Sequence, residues 1–208
     1  MCTHFTIYKY PYDIYELFKF KLYKKFDILS IDPARDNLAL GIYRFVKDSK
    51  ITTRVLIRHE FAKKQYDYKN ICEFLSGFNY KRVKLIIVEK QLSFNILASN
   101  IAKAILLYFG CRYDCIILEV SPKLKSKMFP ELSGLKGDML KKTTVYIILH
   151  QLKKDGDKKT YKIIQKNEKQ DDLADTIAQW RAIRRWLKDS KNRRLLRMYI
   201  ETVGLAIT

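Results

Sequence analysis

The chain has 208 residues, enough for one domain or one domain with terminal additions. Hydrophobic residues make up 48% of it, which excludes global disorder and provides for one sizeable core. With 41 Lys plus Arg against 22 Asp plus Glu, the net charge is +19, a surplus that points to an anionic partner, most commonly nucleic-acid phosphate and otherwise an anionic membrane surface, beside the plain reading of a basic protein kept soluble by its charge.

Residues 1–26 are basic and aromatic and read as an extension docked on the domain; from Asp13, a fitting N-cap, they predict a short helix with Ile14, Leu17, Phe18 and Leu22 on one face. The domain proper spans 27–187. It opens with an apolar strand, 27–31, that runs into Asp32, followed by a second strand at 38–46. After a turn at 47–50, a third strand alternates Val55, Ile57 and Phe61 inward with Arg54, Arg58 and Glu60 outward. Short turns between three successive strands predict an antiparallel meander. A helix follows at 68–78, then a buried strand at 83–88 ending at Glu89. A helix at 94–109 carries the small residues Ala98, Ser99, Ala102 and Ala104, and a fifth strand lies at 115–120. Strand–helix–strand alternation predicts parallel pairing with right-handed crossovers. A lysine-rich loop at 123–137 leads to a helix at 138–153, a polar loop at 154–159 and a last core helix at 170–187. Residues 188–208 form a basic, then apolar, tail. The expected fold class is α/β: a mixed five-stranded sheet, its first three strands antiparallel, flanked by helices.

No apolar run is long enough to span a bilayer, and the first residues lack a signal-peptide core. The four cysteines include only one close pair, Cys111 and Cys115, which argues against a structural zinc site. Together these features predict an intracellular, non-secreted protein with reduced thiols and no membrane partner.

The placement of the acidic residues carries the chemistry. Asp32 ends the first strand and Glu89 the fourth, while Asp172 and Asp175 lie one turn apart on a single helix face. Chemistry in open α/β sheets gathers beyond the carboxyl ends of strands, so these acids can converge. Converged carboxylates repel one another without a counter-ion, and a hard divalent cation such as magnesium supplies it. Two such ions, roughly 3.5–4 Å apart, can activate water and stabilise the leaving oxygen of a phosphodiester. Taken singly, each acid has an ordinary reading: Asp32 as a turn residue, Glu89 as a strand end, Asp171 and Asp172 as helix-start carboxylates favoured by the dipole. Asp171 also makes an i,i+4 pair with Asp175, so it stands as a secondary ligand.

These residues resemble the RuvC-type Holliday junction resolvases of the RNase H-like superfamily, above all the branch found in poxviruses and other large DNA viruses. The resemblance rests on Asp32-Pro-Ala-Arg-Asp-Asn37, on Val88-Glu-Lys-Gln91 and on Asp171-Asp-Leu-Ala-Asp175, and covers 27–187. It implies an RNase H-like fold and a homodimeric, magnesium-dependent endodeoxyribonuclease of DNA recombination and repair, with manganese as a substitute and no small-molecule cofactor. It also implies Asp32, Glu89, Asp172 and Asp175 as catalytic and metal-binding acids, with Lys142 as a candidate catalytic lysine near the scissile phosphate. Branched DNA would be bound by Lys123, Lys125, Lys127, Lys141, Lys142 and, unless it simply lies in solvent, Arg35. If the chain is viral, it would act where viral DNA replicates in the infected cell. Relatives usually have a glycine in the turn where this chain has Pro33-Ala-Arg35. Two rival readings remain: an RNase H-like nuclease for RNA–DNA hybrids or flaps, and a non-catalytic basic protein that binds nucleic acid.

Overall fold

The computed structural model describes residues 5–9, 25–46, 51–61 and 68–195. Its spine is β2 (Lys25–Pro33), flanked by β3 (Asn37–Val46) antiparallel on one side and β5 (Val83–Glu89) parallel on the other. β4 (Thr52–Glu60) extends the meander antiparallel to β3, and β6 (Ile116–Val120) lies parallel to β5. These five strands have the arrangement expected from the sequence. A sixth, β1 (Phe5–Lys9), pairs antiparallel with β6 and gives the order β1-β6-β5-β2-β3-β4. The stretch read as an extension thus contributes a strand to the sheet. The helix expected from Asp13, the turn at 47–50 and most of the tail lie outside the described residues.

Strand periodicity sorts side chains to two faces. Leu29, Ile31, Leu40, Ile42, Ile86 and Val88 pack beneath α1 (Tyr68–Ser76) and α2 (Ile96–Arg112). Phe26, Ile28, Ala39, Tyr43, Leu85 and Ile87 pack on the other face beneath α3 (Lys123–Met128), α4 (Gly137–Asp155), α5 (Lys158–Lys166) and α6 (Gln170–Trp186). On α2 the small residues Ala98, Ala102 and Ala104 are buried, while Ile96, Leu97 and Leu107 are exposed. No helix among the described residues is long and apolar enough to cross a membrane.

Three local expectations are corrected. The lysine-rich stretch at 123–137 contains α3 and a 3-10 turn (Pro130–Leu132), because Leu124, Phe129 and Leu132 are buried anchors among the lysines. The polar loop at 154–159 is a tight junction. Gly156 takes the left-handed conformation (φ 75°) that ends α4, and the Asp157 side chain accepts from the Thr160 backbone N–H (3.0 Å) to start α5. In β4, Val55 packs against the core and Phe61 is buried, as the alternation read from sequence has them, but Ile57 is exposed and Leu56, on the opposite face, is buried. An edge strand covered by α6 on one side has weak contrast between its faces.

Two buried polar ties set α6 on the sheet: Ser30 Oγ donates to Gln179 Oε1 (2.7 Å), and the hydroxyls of Tyr43 and Thr176 lie 2.7 Å apart. Tyr43 reaches Thr176 by folding back over Gly41, where an added Cβ would lie 2.1 Å from the Tyr43 oxygen. Gly41→Ala is therefore expected to destabilise the protein by about 2 kcal/mol through overpacking, measured by urea denaturation. An unchanged midpoint would show that Tyr43 does not depend on that gap.

Candidate active site

Strand parity brings the first acids together. Positions 26, 28, 30 and 32 of β2 face α6, as do 85, 87 and 89 of β5, and Ile31 pairs with Val88 across the parallel ladder. Asp32 and Glu89 therefore project side by side from the carboxyl ends of neighbouring strands. On α6, positions 172, 175, 176 and 179 form one helical stripe. Since Thr176 and Gln179 are tied to the sheet, Asp172 and Asp175, in the two preceding positions of that stripe, overhang the strand ends.

Lys125 of α3 occupies the middle. Its Nζ lies 2.7 Å from Glu89 Oε2 and 2.9 Å from Asp175 Oδ1, and its side chain is only 12% exposed. Asp172 is drawn the other way, accepting from Arg58 Nε at 2.7 Å, while Arg58 also pairs with Glu60. Asp171 pairs with Lys141 Nζ at 2.9 Å. The five acids at 32, 89, 171, 172 and 175 thus face three cations, Lys125, Arg58 and Lys141.

The electrostatics follow from that imbalance. Burial pushes the Asp32 carboxyl well above its ordinary range; Glu89, Asp175 and Asp172 push it further, against the pull of Lys125. Burial likewise raises Glu89, opposed by Lys125, and raises Asp172, opposed by Arg58. Asp171 is burdened by burial too, but its bond to Lys141 holds it below the usual carboxylate value. Lys125 is held firmly protonated by Asp175, Glu89 and Asp32 despite its own burial.

The structure sorts the residues expected from sequence. Asp32, Glu89, Asp172 and Asp175 meet in one corner, and Asp171 lies at its edge through Lys141. Lys125, expected among the DNA contacts, points into the corner. Lys142, expected near the scissile phosphate, is exposed, and it is its neighbour Lys141 that touches an acid. Lys123 and Lys127 are exposed on α3, and Arg35 is exposed and paired with Asp36 at 3.2 Å. Arg58, read as an outward residue of β4, is the site residue that sequence reasoning missed. Its signal lies in register: Asp32 pairs with Ala39 and Ala39 with Arg58, which puts Arg58 in the same cross-strand row as Asp32.

The donor set suits a hard divalent cation. All the donors are carboxylate oxygens, and the buried Glu89 Oε2 has no well-directed hydrogen bond, its contact with Lys125 being one of charge. Among the described residues no three Asp, Glu, His or Cys side chains close on a common point at ligand distance. The ammonium of Lys125 stands between two of the acids instead.

A carboxyl whose folded value is raised makes the folded state bind more protons than the unfolded one, so its burial costs stability as pH rises from about 4. Asp32→Asn is therefore expected to raise the melting temperature of the metal-free protein at neutral pH. The gain should shrink as pH falls toward and below about 4, since Asp32 is neutral in both states only beneath its unfolded value. Melting curves in chelator across that range test this, and a variant less stable than wild type at pH 7 would refute it.

No family model matches the chain, and no curated protein matches it by sequence. Solved structures do. Fowlpox virus resolvase, determined with Holliday junction DNA, is similar at 20% identity and a TM-score of 0.59, over 76% of this chain and 96% of that one. The yeast mitochondrial Holliday junction resolvase is similar at 15% identity and a TM-score of 0.59, over 92% of each chain. RuvC of Thermus thermophilus, also determined with a Holliday junction substrate, is similar at 13% identity and a TM-score of 0.51, over 78% and 95%. The mixed sheet with helices on both faces is thus the RNase H-like fold of the Holliday junction resolvases.

Proposed function

We propose that this chain is a divalent-metal-dependent endonuclease that resolves four-way DNA junctions. The observation that carries this reading is the meeting of Asp32, Glu89, Asp172 and Asp175 in one desolvated corner of a protein with a net charge of +19. A basic protein that only binds phosphate gains nothing from clustered acids, because they repel the ligand. Bound magnesium, with manganese as a substitute and two ions per site, would supply an activated water and neutralise the leaving oxygen.

The chain's own residues then have separate tasks. The four acids hold the ions, with Asp171 in reserve beside them. Arg58 fixes the direction of Asp172, and Lys141 that of Asp171. Lys123, Lys127, Lys142 and Arg35 present exposed charge to the phosphates on either side of the corner. A homodimer places two such corners on one junction, so that paired cuts leave 5′-phosphate and 3′-hydroxyl ends that can be rejoined. The exposed apolar side chains Phe94, Ile96 and Leu97 offer surface for the second copy. An intracellular place of action, for a viral chain the place of viral DNA replication, belongs to this reading.

Asp172→Asn is expected to lower magnesium-dependent cleavage of a four-way junction by roughly 100-fold or more, the loss of a direct ligand exceeding that of an outer one. Junction affinity should be unchanged or tighter and should weaken steeply with salt, as neutralised phosphates release counter-ions. Rates on matched four-way, flap, RNA–DNA hybrid and linear substrates distinguish the candidates. Preference for hybrid or flap would assign another nuclease of this fold, and no cleavage of any substrate in magnesium or manganese would leave only a binder.

A further inference from the structure

One cation in the site bridges two of its acids directly. The Lys125 ammonium lies against both Glu89 and Asp175, from two different elements, with its side chain almost fully covered. A phosphate-binding lysine would be expected to project into solvent, as its neighbours Lys123 and Lys127 do. Neither of the other two cations is placed in this way. Arg58 bonds one site acid from the side and shares its guanidinium with Glu60, and Lys141 is largely exposed.

We propose that Lys125 is an internal counter-ion that stands in the place of a divalent cation in the metal-free protein and must withdraw before the metal can load. It thereby sets the metal affinity of the site. The inference rests on reading the acids as a metal site. An ammonium is a compact charge on a flexible four-carbon stem, able to leave by side-chain rotation alone. The backbone beneath it need not move: Leu124, the preceding residue, is fully buried, and its N–H donates to the Ser121 carbonyl (3.0 Å). Held inward, the lysine keeps the acids from repelling one another. Displaced, it is free to meet the phosphate of a bound strand.

The test is binding of calcium, measured by calorimetry on the full chain without DNA, so that cleavage plays no part. Lys125→Met is expected to bind calcium about tenfold more tightly than wild type, or more, since a competing charge in the site is gone. Its metal-free form should melt lower than wild type, and saturating calcium should close that gap. Lys125→Arg, which keeps the charge, should lack the full gain in affinity. If Lys125→Met folds only with calcium present, chelator competition on the loaded protein gives the same comparison. Equal or weaker calcium binding by Lys125→Met, or equal gains in both variants, would overturn this inference alone. No calcium or manganese binding by any of the three proteins would instead overturn the metal-site reading beneath it.

Discussion

Setting Asp32, Glu89, Asp172 and Asp175 in one corner places charges of like sign where water screens them poorly. That repulsion explains the surrounding design. Asp32, with burial and three neighbouring acids against its charge, is driven toward its neutral form, and the others each have a cation within hydrogen-bonding range. These cations come from different directions, Lys125 from α3 and Arg58 from β4, while Lys141 of α4 holds the neighbouring Asp171. The acids are therefore pulled apart as well as neutralised, which leaves their oxygens spread around a space rather than bonded to one another.

Such a corner depends on where α6 sits along the sheet. Apolar packing beneath a helix specifies depth well but longitudinal position poorly, since many registers bury similar area. The Ser30–Gln179 and Tyr43–Thr176 bonds remove that freedom, because a buried hydroxyl or amide that loses its partner is costly. A slip of one turn would break both bonds and carry Asp172 and Asp175 away from the strand ends. Gly41 belongs to the same device, for it opens the space in which Tyr43 lies. Specificity of position is thus supplied by a few polar atoms inside an otherwise apolar core.

Much of this was legible in the sequence. β2 and β5 are apolar runs ended by an acid, and the 3.6-residue period alone puts Asp172 and Asp175 on one face. The resemblance to resolvases rested on those three segments, and the folds agree. What could not be read depends on partners distant in sequence. Lys125 is one lysine in a run, and its inward direction follows from a short helix whose buried anchors are too sparse to show as a period. Arg58 sits on the more charged face of an edge strand, and the acid it bonds, Asp172, lies far away in sequence, so nothing local marks its inward direction. β1 lies among tyrosines and lysines, and its pairing with β6 is fixed by the open edge of the sheet it meets, information that its own residues do not carry.

If the chain is the nuclease proposed above, the distribution of charge divides binding from cutting. Exposed lysines and arginines act at long range and draw in a polyanion, but salt screens them and they carry no chemistry. The acidic corner acts only at contact and would oppose the same polyanion if left uncompensated. Lys125 reconciles the two, since its charge lets the corner exist inside a basic surface without metal and without exposing bare carboxylates to the approaching phosphate. On the proposed reading, attraction of the nucleic acid and competence to cut it are controlled by different side chains, so each can be altered without abolishing the other.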